Sequence, residues 1–209
     1  AYTGPMPEGL SNEIALSLEA QAVDVADEIA YNNHDLDDAM RSELFSEEDA
    51  MEASLWAEHY EAARSAYPTA EADAIRHETI RRIVNAQVND LIESARERIK
   101  ALSLRDLADV RLRGHGVASF SEEMSRRNLE LKAFLMRRMY RNERVVHLGE
   151  EARRTITALF EAYIENPDLL PEHVARREKI DGRPRMVCDY ISGMTDRFIV
   201  EQRDRLIAG

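Results

Sequence analysis

Asp24-Val-Ala-Asp27-Glu28-Ile-Ala-Tyr31-Asn-Asn-His34-Asp35-Leu-Asp37-Asp38 crowds six acidic residues and a tyrosine into fifteen positions. At about 100° per residue, Leu18, Ala22, Val25, Ile29, Leu36 and Met40 fall on one stripe, the mark of an amphipathic helix. Asp24, Asp27, Glu28, Tyr31, Asp35 and Asp38 fall on the opposite sector. Asp27, Tyr31 and Asp35 stand at i, i+4 and i+8, so their side chains line up along the helix. Like charges at that spacing repel by roughly a few tenths of a kcal/mol per pair. Such a face is either solvated or turned towards something positive, a metal ion or arginines.

Outward from this stretch the chain reads as helices throughout, and the expected fold class is all-α, a single helical domain. Residues 1–10, with Gly4, Pro5, Pro7 and Gly9, form an irregular lead-in to a helical region over 11–209. The first helix is expected from about Asn12 to Leu44. A second spans about Glu47–Ala66, with Ser46 and Asp49 capping its first turn. Pro68 ends it, and Thr69 is placed to cap a long helix reaching about Leu102. A short helix over 104–112 precedes the break at Arg113-Gly-His-Gly116. Ser121 caps a helix over 122–141, and others follow over 145–165, 172–178 and 185–206, with turns at Asn166-Pro167 and Asp181-Gly182-Arg183-Pro184. Short connections favour one packed body.

Composition narrows the function classes. A chain of 209 residues with 44% apolar and 33% charged residues builds a globular core. The net charge of -12 argues against nucleic-acid or anionic-membrane binding by the surface as a whole. No stretch approaches the ~18 apolar residues of a membrane span, and no secretory signal is visible. The single cysteine, Cys188, cannot form an intramolecular disulfide and fits a reducing cytoplasm. Its neighbours Val187, Tyr190, Ile191 and Met194 suggest a buried structural thiol. The chain begins with Ala1, which suggests a piece of a longer protein.

The candidate chemistry is sparse. Asp27 is suited to a divalent cation, but one carboxylate is no site, and the i+4 position holds Tyr31, a poor ligand. On spacing alone the acidic face reads as a solvated surface in preference to a site. His34-Asp35 has the form of a metal-binding His-Asp pair, yet no histidine precedes it, so it is not assigned as one. His59, His77, His115, His147 and His173 show no paired ligand spacing. No phosphate-cradling glycine loop or nucleophile elbow is present. Basic residues gather at Arg126, Arg127, Lys132, Arg137, Arg138, Arg141 and Arg144. They read either as partners of neighbouring acidic helices or as a triphosphate pocket, since arginine grips phosphate with a planar fork and lysine as a point charge.

Four stretches carry a resemblance. Ser17-Leu-Glu-Ala-Gln-Ala-Val-Asp-Val-Ala-Asp27-Glu-Ile-Ala-Tyr31-Asn-Asn-His-Asp35-Leu-Asp-Asp38 closely resembles the deoxyguanosinetriphosphate triphosphohydrolase-like (dGTPase-like) family of bacterial HD-domain proteins. Ile75-Arg-His-Glu-Thr-Ile-Arg-Arg82, Leu131-Lys-Ala-Phe-Leu-Met-Arg-Arg-Met-Tyr-Arg141 and Val187-Cys-Asp-Tyr-Ile-Ser-Gly-Met-Thr-Asp-Arg-Phe198 resemble the same family in the same order. The first and last are specific; the middle two are supporting. The resemblance implies hydrolysis of a deoxynucleoside triphosphate (dNTP) to the deoxynucleoside and inorganic triphosphate. It makes Asp27 the last aspartate of a His…His-Asp…Asp metal set, completed by residues 11–44. It makes Tyr31 and Asp35 deoxyribose contacts, Lys132 a phosphate contact, and Tyr140 a substrate neighbour on the same helix. The implied cofactor is a divalent ion, Mg²⁺ or Mn²⁺, which would polarise the α-phosphate and activate water. A homo-oligomer is implied as well.

Two departures qualify this. Asn142 stands where many members carry a histidine after Tyr-Arg. The His…His-Asp half of the metal set is absent from the chain, which is therefore expected to be a C-terminal portion, inactive alone, with no catalytic residue assigned within it. The competing reading is a non-catalytic helical oligomerisation or regulatory module.

Overall fold

The computed structural model describes residues 15–114 and 116–207. The expected lead-in, the first positions of the expected first helix and His115 lie outside the described residues. Among those described, helices form and no strand does, so the all-α class stands. No helix among them is long and apolar enough to cross a membrane. The helices gather into two compact units, Ala1–Asn142 and Glu143–Gly209, each with its own core.

The first unit contains α1 (Leu18–Arg41), α2 (Glu47–Ala50), α3 (Ser54–Ala66), α4 (Ala72–Ala101), α5 (Leu107–Arg113) and α6 (Glu122–Leu135), the last running into a π-helical turn, Met136–Tyr140. The long α4 packs against α1 and α3, and α6 packs against both of those helices. Leu36, Leu55, Trp56, Ile83, Leu131, Phe134 and Leu135 are almost fully excluded from water at the centre. Phe45 meets Phe134 edge-on at 4.8 Å, and Trp56 stacks on Tyr60 at 5.5 Å. The sequence stripe of α1 is partly realised: Ile29, Leu36 and Met40 are buried, whereas Ala22 and Val25 are half-buried.

The second unit contains α7 (Glu143–Glu165), α8 (Glu172–Ala175), α9 (Glu178–Asp181), α10 (Arg183–Ser192) and α11 (Asp196–Ile207). Both α10 and α11 pack on α7. Leu159, Tyr163, Met186, Val187 and Ile191 form its core.

Boundaries depart from the sequence expectations for identifiable reasons. The expected Glu47–Ala66 helix breaks into α2 and α3, because Ala50, Ala53, Leu55 and Trp56 are all buried and cannot share one face of a straight helix. The expected cap pair holds: Ser46 accepts from the Asp49 amide at 3.1 Å, and Asp49 accepts from the Ser46 amide at 2.9 Å. Thr69 does not cap α4, which starts after Glu71 without a side-chain cap. The 185–206 helix divides at Gly193. Cys188 is exposed rather than buried, because α10 turns Met186, Val187 and Ile191 inward instead.

Candidate functional site

Helix α1 starts at Ser17, whose hydroxyl accepts from the Ala20 amide at 3.3 Å. Burying Ile29, Asn32, Asn33, Leu36, Ala39 and Met40 fixes which way the helix faces. The acidic sector is thereby turned outward: Asp24, Asp27, Tyr31 and Asp38 are exposed, while Glu28 and Asp35 are half-buried. From Asp27 to Asp35 the line runs about 12 Å along the axis.

Helix α6 supplies the facing groups. It begins at Ser121, whose hydroxyl accepts from the Met124 amide at 3.1 Å as expected, and it buries Leu131, Phe134 and Leu135. Lys132 Nζ lies 2.7 Å from Glu28 Oε1. The Tyr140 hydroxyl donates to Asp35 Oδ2. Eight residues of regular helix would leave Tyr140 about 80° around from Lys132. The π turn, closed by the Arg141 amide on the Met136 carbonyl at 3.2 Å, winds less per residue and removes part of that offset. Burial, then the hydrogen bond to Asp35 and that to Tyr31, push the Tyr140 phenol well above its ordinary range. Tyr140 therefore stays protonated and donating at any physiological pH.

Three sequence-nominated residues thus meet, Tyr31 and Asp35 from α1 with Tyr140 from the π turn, while Lys132 of α6 pairs with Glu28, three residues before Tyr31 on α1. Asp27 projects from the same α1 line, one turn before Tyr31. Among the described residues no three histidine, cysteine, aspartate or glutamate side chains converge as a ligand set. These residues alone therefore do not fit a divalent cation, and His34, exposed on α1, does not change that.

The basic residues of α6 and the π turn are largely matched by carboxylates. Arg126 pairs with Glu123, Arg127 with Glu58, and Arg137 and Arg138 with Glu52. That is the first of the two sequence readings of this cluster. Arg138 in turn helps hold the Glu52 carboxyl below its usual range.

Sequence reasoning missed two features. Glu28 is the partner of Lys132, although the acidic run gave no reason to single it out. A buried amide chain also crosses three helices: Asn33 Nδ2 donates to Gln87 Oε1 at 2.7 Å, and Gln87 Nε2 donates to Asn128 Oδ1 at 2.6 Å. A legible signal existed for Gln87, a polar residue four positions after Ile83 and four before Leu91 on a buried stripe.

Comparison with known proteins bears on this arrangement. Residues 118–205 match the phosphohydrolase-associated domain family. Over 199 residues, 95% of this chain, it is 37% identical to a deoxyguanosinetriphosphate triphosphohydrolase-like protein of Geobacter sulfurreducens, covering 52% of that protein. Proteins of the same name from Ralstonia nicotianae and Bordetella pertussis are 42% and 39% identical over 92% and 97% of the chain, covering 49% and 52% of their own lengths. Over nearly its whole length, then, the chain is similar to dGTPase-like proteins. It spans about half the length of the curated relatives it matches.

Proposed function

We propose that this chain forms part of a metal-dependent dNTP triphosphohydrolase, releasing deoxynucleoside and inorganic triphosphate. The observation that carries the reading is the junction of Tyr31, Asp35 and Tyr140, whose contact spans 105 positions of sequence. A carboxylate beside two phenols offers both an acceptor and donors to a sugar hydroxyl. Lys132, about two turns before Tyr140, supplies a point charge for the phosphates once these replace Glu28 as its partner. Asp27 contributes one carboxylate to a divalent-ion site whose other ligands come from the part of the relatives that this chain does not span. On this reading the 209-residue chain alone does not turn over dNTPs. The family name of the relatives supports the substrate class, and a homo-oligomer in a cytoplasmic setting accompanies the reading. Exposed Val146, Leu148 and Ile156 on α7 favour the oligomer.

The test uses the complete natural polypeptide with Mg²⁺ or Mn²⁺ and resolves products by anion exchange. Inorganic triphosphate and deoxynucleoside are expected in equal amounts. Lys132→Ala should raise KM by about tenfold or more, since a hydrogen bond to a charged group contributes about 1.5–3 kcal/mol. Orthophosphate as the product, or an unchanged KM, contradicts the reading.

A further inference from the structure

The amide chain through Asn33, Gln87 and Asn128 is an odd choice for stability. All three are nearly excluded from water, at 3%, 0% and 3% exposure. Asn33 spends both Nδ2 hydrogens, one on the Ile29 carbonyl at 2.8 Å and one on Gln87. That leaves Asn33 Oδ1 and Asn128 Nδ2 without a hydrogen-bond partner. A partly satisfied buried polar chain is generally no more stabilising than apolar packing of the same shape. What it adds is direction. Apolar neighbours such as Ile83 and Leu131 tolerate a small rotation of one helix on another, whereas bonds of 2.7 and 2.6 Å do not.

The placement of its members matters. Asn33 lies two residues from both Tyr31 and Asp35, so holding Asn33 inward aims those two outward at about 160–200° around the helix. Asn128 lies one turn before Lys132 on α6. Gln87, on α4, is the only member bonded to both helices. We propose that Gln87 is a positioning residue that sets the rotation of α1 against α6, and so holds the Asp35–Tyr140 contact in register. This rests on the reading of that face as the substrate site, but it predicts a geometry that can be read with no substrate present.

The measurement is ¹³Cζ NMR of tyrosine in the complete natural polypeptide, with the Tyr140 signal assigned through Tyr140→Phe and its position without the Asp35 bond taken from Asp35→Ala. Gln87→Met removes both bonds at nearly constant volume. The triple variant Asn33→Leu/Gln87→Leu/Asn128→Leu replaces the whole chain by apolar packing. Both are expected to keep the helical circular-dichroism spectrum while the Tyr140 signal moves to the Asp35→Ala position. Ile83→Val, a core truncation one turn away on α4, should leave it at the wild-type position. A wild-type Tyr140 signal in either relay variant that folds overturns the proposal. If Gln87→Met does not fold, the triple variant decides. Loss of fold by the triple variant overturns the proposal too, since the relay would then serve stability. Failure of triphosphate release by the complete polypeptide, with these shifts intact, would count against the substrate reading and leave the positioning role standing.

Discussion

Glu78 shows how single side chains on α4 are held. Its carboxylate accepts from Arg81 Nε and Nη2 and from Arg82 Nε, each at 2.7 Å. The Arg81 hydrogen bonds, with the one from Arg82, pull it down to about 2 from an ordinary value near 4.5. A folded-state value below the unfolded one gives stability that is complete above about 4.5 and is lost as pH falls towards 2. Both arginines sit near the surface, so solvent screening keeps the contribution of these pairs small. Urea titrations at pH 7 and pH 2.5 should therefore show Glu78→Gln destabilising more at the first pH than at the second. An equal effect at both would remove the ion pairs as the cause. At this same scale the candidate site was half legible. Asp27, Tyr31 and Asp35 stood out by their i, i+4, i+8 line and by family resemblance. Glu28 did not, because its role depends on where Lys132 arrives from a hundred positions away, and no local pattern encodes that.

At the scale of elements, caps and loop anchors decide the boundaries. Helix α4 ends with Ser103 at φ 52°, the Ser103 amide bonding the Lys100 carbonyl and the Leu104 amide that of Ile99. This is the left-handed terminator that glycine adopts without steric cost. Ser103→Gly should raise stability by about 0.5 kcal/mol, the relief of a left-handed serine less the added freedom of the unfolded chain. A fall in the urea midpoint would contradict that geometry. Gln21, 4% exposed, anchors the segment leading to α6. Its Oε1 accepts from the Val117 and Ala118 amides at 3.0 and 3.3 Å, and its Nε2 donates to the Leu16 and Gly114 carbonyls. Gln21→Leu strands two buried amides and should cost about 2 kcal/mol or more, with faster hydrogen exchange at Val117 and Ala118. Unchanged protection there would place the anchor elsewhere. The caps at Ser46 and Ser121 were readable because hydroxyl and carboxylate sit three residues from the amides they serve. The break between α2 and α3 was not, because it answers to which of Ala50, Ala53, Leu55 and Trp56 the core must take in.

For the molecule as a whole, helical periodicity made the all-α class legible, while short connections suggested one body. The two cores separate at Asn142 and Glu143 because Phe45, Trp56, Leu131 and Phe134 pack among themselves, and Leu159, Tyr163, Met186 and Val187 likewise. Such grouping depends on contacts distant in sequence, which periodicity does not report. The functional account likewise reaches beyond single elements, since it needs one carboxylate from α1 to act with ligands that this chain does not supply. Asp27→Ala in the complete natural polypeptide tests it most directly, with inorganic triphosphate release from dNTPs as the readout. The account predicts a fall of more than about 100-fold, at least the effect of losing an outer-shell partner of a metal ligand, with the helical circular-dichroism spectrum intact. Turnover by the variant close to that of the wild type would contradict it.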